Sequence, residues 1–387
     1  MTDEALVAAT TLFPLGIATG RAHCNRDTER QNLKEKILSG THAWLWARRR
    51  MGKTSLIEQV LSELEKQRPS VPSIIIDLNI VYDAESLEER LRAGVADLAI
   101  QFKPKAQKAP AKLLKAFGRV DVSFSVGVGP VGLVIKKPEE TLAGIRDLLI
   151  GLDKAAGAYK KRAVVVLDEF QQVKGLKFGR TDKTVEGTIK NAVERSKNVS
   201  YVFCGSQRHL LERMFELGDE SLARHCEKIS LRRIGREDYH RFIGKAARSK
   251  WRKKLDIKII DKILDLTYRH PYYVNALCRR LWLRKGMPTI QSVETSWQVI
   301  AEEDGPLAAY VVRKLSSKQR AMLTGIAREP AGLVEYPTGQ QFLEKVRLSG
   351  STGGASLEVL ENEDLVRKIE GGWTLVDPVM AEYLRRI

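Results

Sequence analysis

Between an apolar triplet, Trp44-Leu45-Trp46, and an amphipathic run over 54–66 the chain carries Ala47-Arg48-Arg49-Arg50-Met51-Gly52-Lys53-Thr54-Ser55. A strand that turns through a short loop straight into a helix presents backbone N–H groups at the helix N-terminus, where the dipole also favours anions. Gly52 lets the backbone approach a ligand closely, while Lys53 and Thr54 open the helix with a cation and a hydroxyl. This is a Walker A loop, a cradle for nucleotide phosphates. Arg49, Arg50, Met51, Gly52, Lys53, Thr54 and Ser55 form the expected binding loop, Lys53 reaching the β- and γ-phosphates and Thr54 ligating Mg²⁺. Ala47 stands where the usual motif has its first glycine. That position closes the strand and touches no phosphate, so a methyl group is tolerated.

The second constraint is Val164-Val165-Val166-Leu167-Asp168-Glu169, four apolar residues ending in two carboxylates. A buried strand that ends in acids is common by itself. Roughly 110 residues after a phosphate loop it reads as a Walker B strand. Asp168 then binds Mg²⁺ through water and Glu169 polarises the attacking water. The expected cofactors are ATP and Mg²⁺, and the expected activity is ATP hydrolysis.

Strands expected at 44–46, 73–78, 163–167 and 199–204 alternate with helices at 54–66, 86–102, 142–159 and 188–195. A short helix at 27–38 precedes them, and a glycine-rich hairpin over 120–135 turns near 127–132. Such alternation predicts a doubly wound α/β domain, with the run Ile74-Ile75-Ile76 in a strand buried as parallel strands are. After residue 231 the strands stop, and helices at 236–245, 256–267 and 273–284 predict a helical lid. Helices at 317–328, 338–346 and 352–361, then strands at 366–369 and 373–376 and a closing helix at 379–386, give a winged-helix pattern. The expected domains are a P-loop core at 1–231, a lid at 232–312 and a winged helix at 313–387.

Asp168-Glu169-Phe170-Gln171, Val202-Phe203-Cys204-Gly205-Ser206 and the Arg-Arg-x-Gly-Lys-Thr-Ser loop together resemble the archaeal-type ATPases. These are P-loop NTPases of the STAND branch, related to AAA+ and origin-recognition ATPases. The resemblance runs from Asn25-Arg26-x-x-Glu29, through His270-Pro271-Tyr272-Tyr273, to Leu375-Val376-Asp377-Pro378. It implies an AAA+-like parallel sheet with a helical lid and a C-terminal winged helix. Ser206 takes a sensor-1 position near the γ-phosphate, or else caps a helix over 207–215. His270-Pro271 takes the lid motif that packs over the nucleotide; otherwise Pro271 starts a helix and His270 caps it. Arg224 is either a finger toward a neighbour's nucleotide in an ATP-dependent oligomer or a surface arginine. Arg49 and Arg50 match paired arginines whose task the sequence does not assign.

Lysine and arginine number 65 against 48 acids, a net charge of +17. The excess is local: 17 basic and 5 acidic residues at 232–285 give +12, while 11 and 10 at 313–387 give +1. A smaller run at 103–119 holds six basic residues and no acid. The third helix of the winged domain, with its exit at 355–364, carries four acids and no base. It therefore reads as a packing or regulatory module rather than a DNA reader. Arg248, Lys250, Arg252, Lys253 and Lys254, with Trp251 as a stacking residue, make the candidate nucleic-acid face; the alternative is a solvated lid surface. No stretch approaches the roughly 18 apolar residues of a membrane span. The Met-Thr-Asp-Glu start lacks a leader, and Cys24, Cys204, Cys226 and Cys278 are too scattered for a disulfide or zinc framework. The expected compartment is the cytoplasm. Two functions follow: an ATP-hydrolysing switch whose nucleotide state controls a partner protein or nucleic acid, and a DNA-binding factor that uses ATP as a structural ligand.

Overall fold

Five parallel strands carry the first half of the chain. The computed structural model describes residues 9–102, 111–118, 120–125, 132–137, 141–176, 184–216, 222 and 225–387. Two units result. One takes Arg26–Arg49 and Lys53–Arg232; the other takes Arg233–Ile387 together with Met1–Asn25 and Arg50–Gly52.

In the first unit α1 (Asp27–Ser39) leads to β1 (His42–Trp46), α2 (Lys53–Lys66) and β2 (Ser73–Asp77). Helices α3 (Ala84–Ile100) and α4 (Ala111–Phe117) follow, then the antiparallel pair β3 (Val122–Ser125) and β4 (Gly132–Ile135) and helix α5 (Thr141–Ala158). The expected hairpin turn lies outside the described residues. The unit closes with β5 (Ala163–Asp168), α6 (Val185–Glu194), β6 (Val199–Gly205), α7 (Arg208–Phe215) and β7 (Cys226–Ser230).

The sheet order is β2-β5-β6-β1-β7. Strand β6 thus lies between β1, which leads into the phosphate loop, and β5, which ends in the carboxylates. In register, Asp77 faces Asp168, and Trp46 faces Gly205 on one side and Ser230 on the other. All these chain exits leave one edge, the carboxyl edge where open α/β sheets bind ligands. Central β6 is buried throughout, as a continuous apolar run requires. Strand β2 is corrected by its place: it is the sheet's edge, so Ile74 and Ile75 are only half-buried. Stacked rings of Trp44 and Phe215, 5.2 Å apart, and the edge contact of Phe170 with Phe203 at 4.6 Å fill the core.

The second unit begins with α8 (Arg236–Trp251), α9 (Ile257–Leu266), α10 (Pro271–Trp282) and α11 (Ile290–Lys314). It ends in a winged-helix arrangement of α12 (Ser317–Arg328), β8 (Leu333–Val334), α13 (Gln340–Lys345), α14 (Gly350–Asn362), β9 (Val366–Ile369), β10 (Gly372–Leu375) and α15 (Pro378–Arg386). Strand β8 pairs with β10, making three strands where two were expected. One continuous core runs from Ile234 to Leu384. The 25-residue α11 continues through 312/313, the expected domain boundary. The chain's start belongs here rather than with the first unit: Phe13 packs on Trp282 at 4.8 Å and on Phe242 at 5.7 Å. Among the described residues no cysteine forms a disulfide, and no helix is long and apolar enough to cross a membrane.

Candidate phosphate-binding and catalytic site

Strand β1 continues one residue past Trp46, because the Ala47 N–H donates to the Gly205 carbonyl at 3.5 Å. Ala47 is buried in that ladder, which explains why the methyl group is accommodated. The loop then bends through Arg50 at φ +61° and Gly52 at φ +87°. A side chain at 52 would meet open space, so glycine is required there by its backbone angle, not by crowding. Helix α2 starts at Lys53 and buries Leu56, Ile57, Val60, Leu61 and Leu64, which fixes its N-terminus against the sheet.

Lys53 is buried, and its Nζ lies 2.5 Å from Asp168 Oδ1 and 3.1 Å from Glu169 Oε1. The other carboxylate oxygen of Glu169, Oε2, accepts the Ser206 hydroxyl at 2.9 Å and the side-chain amide of Gln171. Glu169 itself sits in the left-handed region, at φ +55° and ψ 42°. Left-handed backbone at a non-glycine residue is uncommon and costs energy unless neighbours hold it. Burial pushes the Glu169 carboxyl up, but Lys53 and the bonds from Gln171, Lys53 and Ser206 outweigh it and hold it below the ordinary range. Burial likewise opposes the Lys53 charge, and Cys204, Asp168 and Glu169 outweigh it and raise the ammonium. Because burial keeps the Cys204 thiol protonated at neutral pH, the two carboxylates supply that charge. Glu169 is therefore ionised at neutral pH, and the charged Lys53 bridges it to Asp168.

The structure brings Lys53, Asp168, Glu169 and Ser206 together. It removes the capping alternative for Ser206, since α7 has Gln207 at its N-cap and the Ser206 hydroxyl turns to Glu169. Thr54 and Ser55 follow on the first turn of α2. Arg49 is exposed. Arg50 lies with the second unit, its guanidinium 4.1 Å from the Tyr272 ring centroid and 3.9 Å from Asp304. Pro271 occupies the first turn of α10, and His270 stands at its N-cap without a side-chain capping bond. His270 is 5% exposed, and burial together with Arg233, Arg50 and Arg367 pushes its imidazole down to about 3, so it is neutral at physiological pH. Arg224 lies outside the described residues.

A family model described as "Probable winged helix domain" matches residues 309–386. No curated protein matches the chain. Among solved structures, a Walker-type ATPase of Pyrococcus abyssi aligns over 97% of this chain and 99% of its own, with a TM-score of 0.66 at 17% identity. The fold is that of a Walker-type ATPase. An ORC2 protein of Aeropyrum pernix, solved as ADPNP–ADP complexes, shares it over 97% of this chain and 96% of its own, with a TM-score of 0.56 at 12% identity.

Within this Walker-type fold several motif residues have structural work that the sequence did not reveal. Buried Arg26 donates to Glu29 at 2.9 Å and to the Arg232 carbonyl, closing the first unit. The Tyr273 hydroxyl donates to Asp377 at 3.2 Å, and Arg233 donates to the carbonyls of Tyr268 and Val376, so the His-Pro-Tyr-Tyr and Asp-Pro motifs meet inside the second unit. Trp251 packs on Trp282 at 4.7 Å and is half-buried, so the ring has a place in the packing of the second unit besides any contact with a base. Lys250 donates to the Trp282 carbonyl and belongs to the same joint. Arg248, Arg252, Lys253 and Lys254 remain exposed, and none forms an ion pair among the described residues. Gln171, to which the sequence reading gives no role, touches Glu169 directly.

Proposed function

We propose that the chain binds ATP with Mg²⁺ at the loop 48–55 and hydrolyses it, and that its nucleotide state controls a partner protein or nucleic acid. One observation carries this reading: Lys53, Asp168, Glu169 and Ser206 form a single ion-paired and hydrogen-bonded cluster at the carboxyl edge of the sheet, beside a loop shaped for phosphates. The donors fit the cation, since Thr54 and Asp168 offer the hard oxygens that Mg²⁺ prefers. Among the described residues no trio of His, Cys, Asp or Glu is placed to hold a metal. Mg²⁺ supplies neutralisation of charge on the phosphates.

The remaining work falls to the chain. Lys53 exchanges its two carboxylates for phosphate oxygens, and Asp168 turns to the cation. Glu169, ionised because its carboxyl is held low, accepts a proton from the attacking water. Ser206, hydrogen-bonded to Glu169, stands where its hydroxyl changes partner with the γ-phosphate, a sensor's task. Arg224 and the His270-Pro271 pair are proposed as the finger and the lid contact.

A second reading has one observation behind it: the four unpaired cations Arg248, Arg252, Lys253 and Lys254 suit the phosphates of a nucleic acid. Such contact is to backbone rather than to bases. Titration of the purified protein with Mg²⁺ and ATP tests the first reading. Wild type binds and turns over, and Lys53→Ala loses binding. Native affinity in Lys53→Ala would remove the loop from the account.

A further inference from the structure

Gln171 is 4% exposed, lies on the turn Phe170–Val173 that follows Glu169, and donates its amide N–H to Glu169 Oε2. Among the described residues its own Oε1 is buried with no hydrogen-bond partner. That oxygen presses against the backbone of Gly205, where an added Cβ would lie 2.1 Å from it. Gly205 therefore has a reason beyond strand propensity: only a residue without a side chain leaves room for the amide.

Lys53 holds the opposite oxygen of Glu169, and Ser206 shares Oε2 with Gln171. A bound triphosphate competes for both of these partners, for Lys53 by charge and for Ser206 by its single hydroxyl proton. Gln171 carries no charge and is the most deeply buried of the three, packed over Gly205. It is the donor that stays with the carboxylate when the other two are drawn away. A purely structural role explains the arrangement poorly. An unpaired buried acceptor is a cost to folding, and a methionine or leucine would fill the same space without it.

We infer that Gln171 is a positioning residue that keeps the Glu169 carboxylate aimed at the attacking water while nucleotide occupies the site. The inference rests on the reading of Glu169 as the general base. Charged and titratable groups around that carboxylate are Lys53 from α2, Asp168 on β5 and Cys204 on β6, with Ser206 as the neutral donor.

Gln171→Met keeps length and volume and removes the donor. With Mg²⁺ and ATP as the probe, kcat should fall about 10-fold or more, the scale of losing orientation at a reacting group, while ATP affinity stays native. Without nucleotide, the thermal midpoint should be equal to or above wild type, since the unpaired acceptor is gone too. Gly205→Ala should reproduce the kcat loss by displacing the amide, and beside Gln171→Ala it should add little, only what the 2.9 Å approach to Leu211 Cδ1 costs. A Gln171→Met protein with native kcat, beside a dead Glu169→Gln, would overturn the inference alone. A lowered thermal midpoint, or equal losses of kcat and ATP affinity, would make Gln171 structural and also overturn it. Full hydrolysis by Glu169→Gln would instead remove the general base, and the inference with it.

Discussion

Lys53 holds two carboxylates at once, so it has a duty to the fold before any phosphate arrives. Lys53→Met keeps the stem packed and leaves Asp168 and Glu169 facing each other with no cation. Stability without nucleotide should fall by about 3 kcal/mol, the low end for breaking a buried pair, because the carboxylates are partly exposed. The loss should appear as a lower urea midpoint at neutral pH and shrink below about pH 4, where carboxylates protonate. A variant as stable as wild type at pH 7 would place these charges in water. His270 gives a second test. It stays neutral in the fold down to about 3, whereas the free imidazole protonates near 6.5, so the unfolded chain binds an extra proton between those values. Its contribution is complete above pH 6.5 and is lost as acid is added, by up to about 1.4 kcal/mol per pH unit. His270→Gln should flatten the stability profile between pH 6.5 and pH 4. An unchanged slope would mean that the folded protein already carries the proton.

At the level of elements, α15 depends on Asp377, whose Oδ1 accepts from the N–H groups of Val379 at 2.7 Å and Met380 at 3.2 Å. Asp377→Ala should cost about 1–2 kcal/mol in thermal unfolding, the range for an N-cap. Asp377→Asn, which keeps a capping oxygen, should lose clearly less; equal losses would deny the cap. Asp377 was legible as part of a motif, but its bond to Tyr273 was not, because that residue lies 104 positions away in sequence. The pattern holds more widely. Strand β5 and the Lys53 loop were readable because an apolar run and a phosphate loop each demand few residue types. Strand β7 was not, because Glu227 and Lys228 face outward and only Cys226 and Ile229 are buried. Pro306 and Gly305 hid α11, which carries them inside one long helix. Trp251 beside a basic run reads as a nucleic-acid contact, and its packing on Trp282 was not legible. In the candidate site, Lys53, Asp168 and Glu169 were legible by type and order. Gln171 was not, because an amide two residues from a carboxylate is informative only once the turn and Gly205 bring them together.

For the whole molecule, a charge of +17 is mostly a matter of where the cations stand unpaired. If nucleic acid binds at the exposed end of α8, duplex affinity should fall with salt at a log–log slope near −0.9 per phosphate neutralised. Reversing Arg248, Arg252 and Lys253 should flatten that slope by roughly three units and leave ATP binding native. Lys250 is left out because it is tied to the Trp282 carbonyl. Protein that binds no duplex or single strand at low salt would reduce the patch to a solvated surface. In the proposed function one cluster, Lys53 with Asp168, Glu169 and Ser206, both holds and splits ATP. Its most direct test is Glu169→Gln, measured for ATP binding and for single-turnover hydrolysis on the same preparation. Binding should stay native while hydrolysis falls roughly 10²-fold or more, the scale of losing a positioned base. Undiminished hydrolysis, or equal loss of binding and hydrolysis, would contradict it.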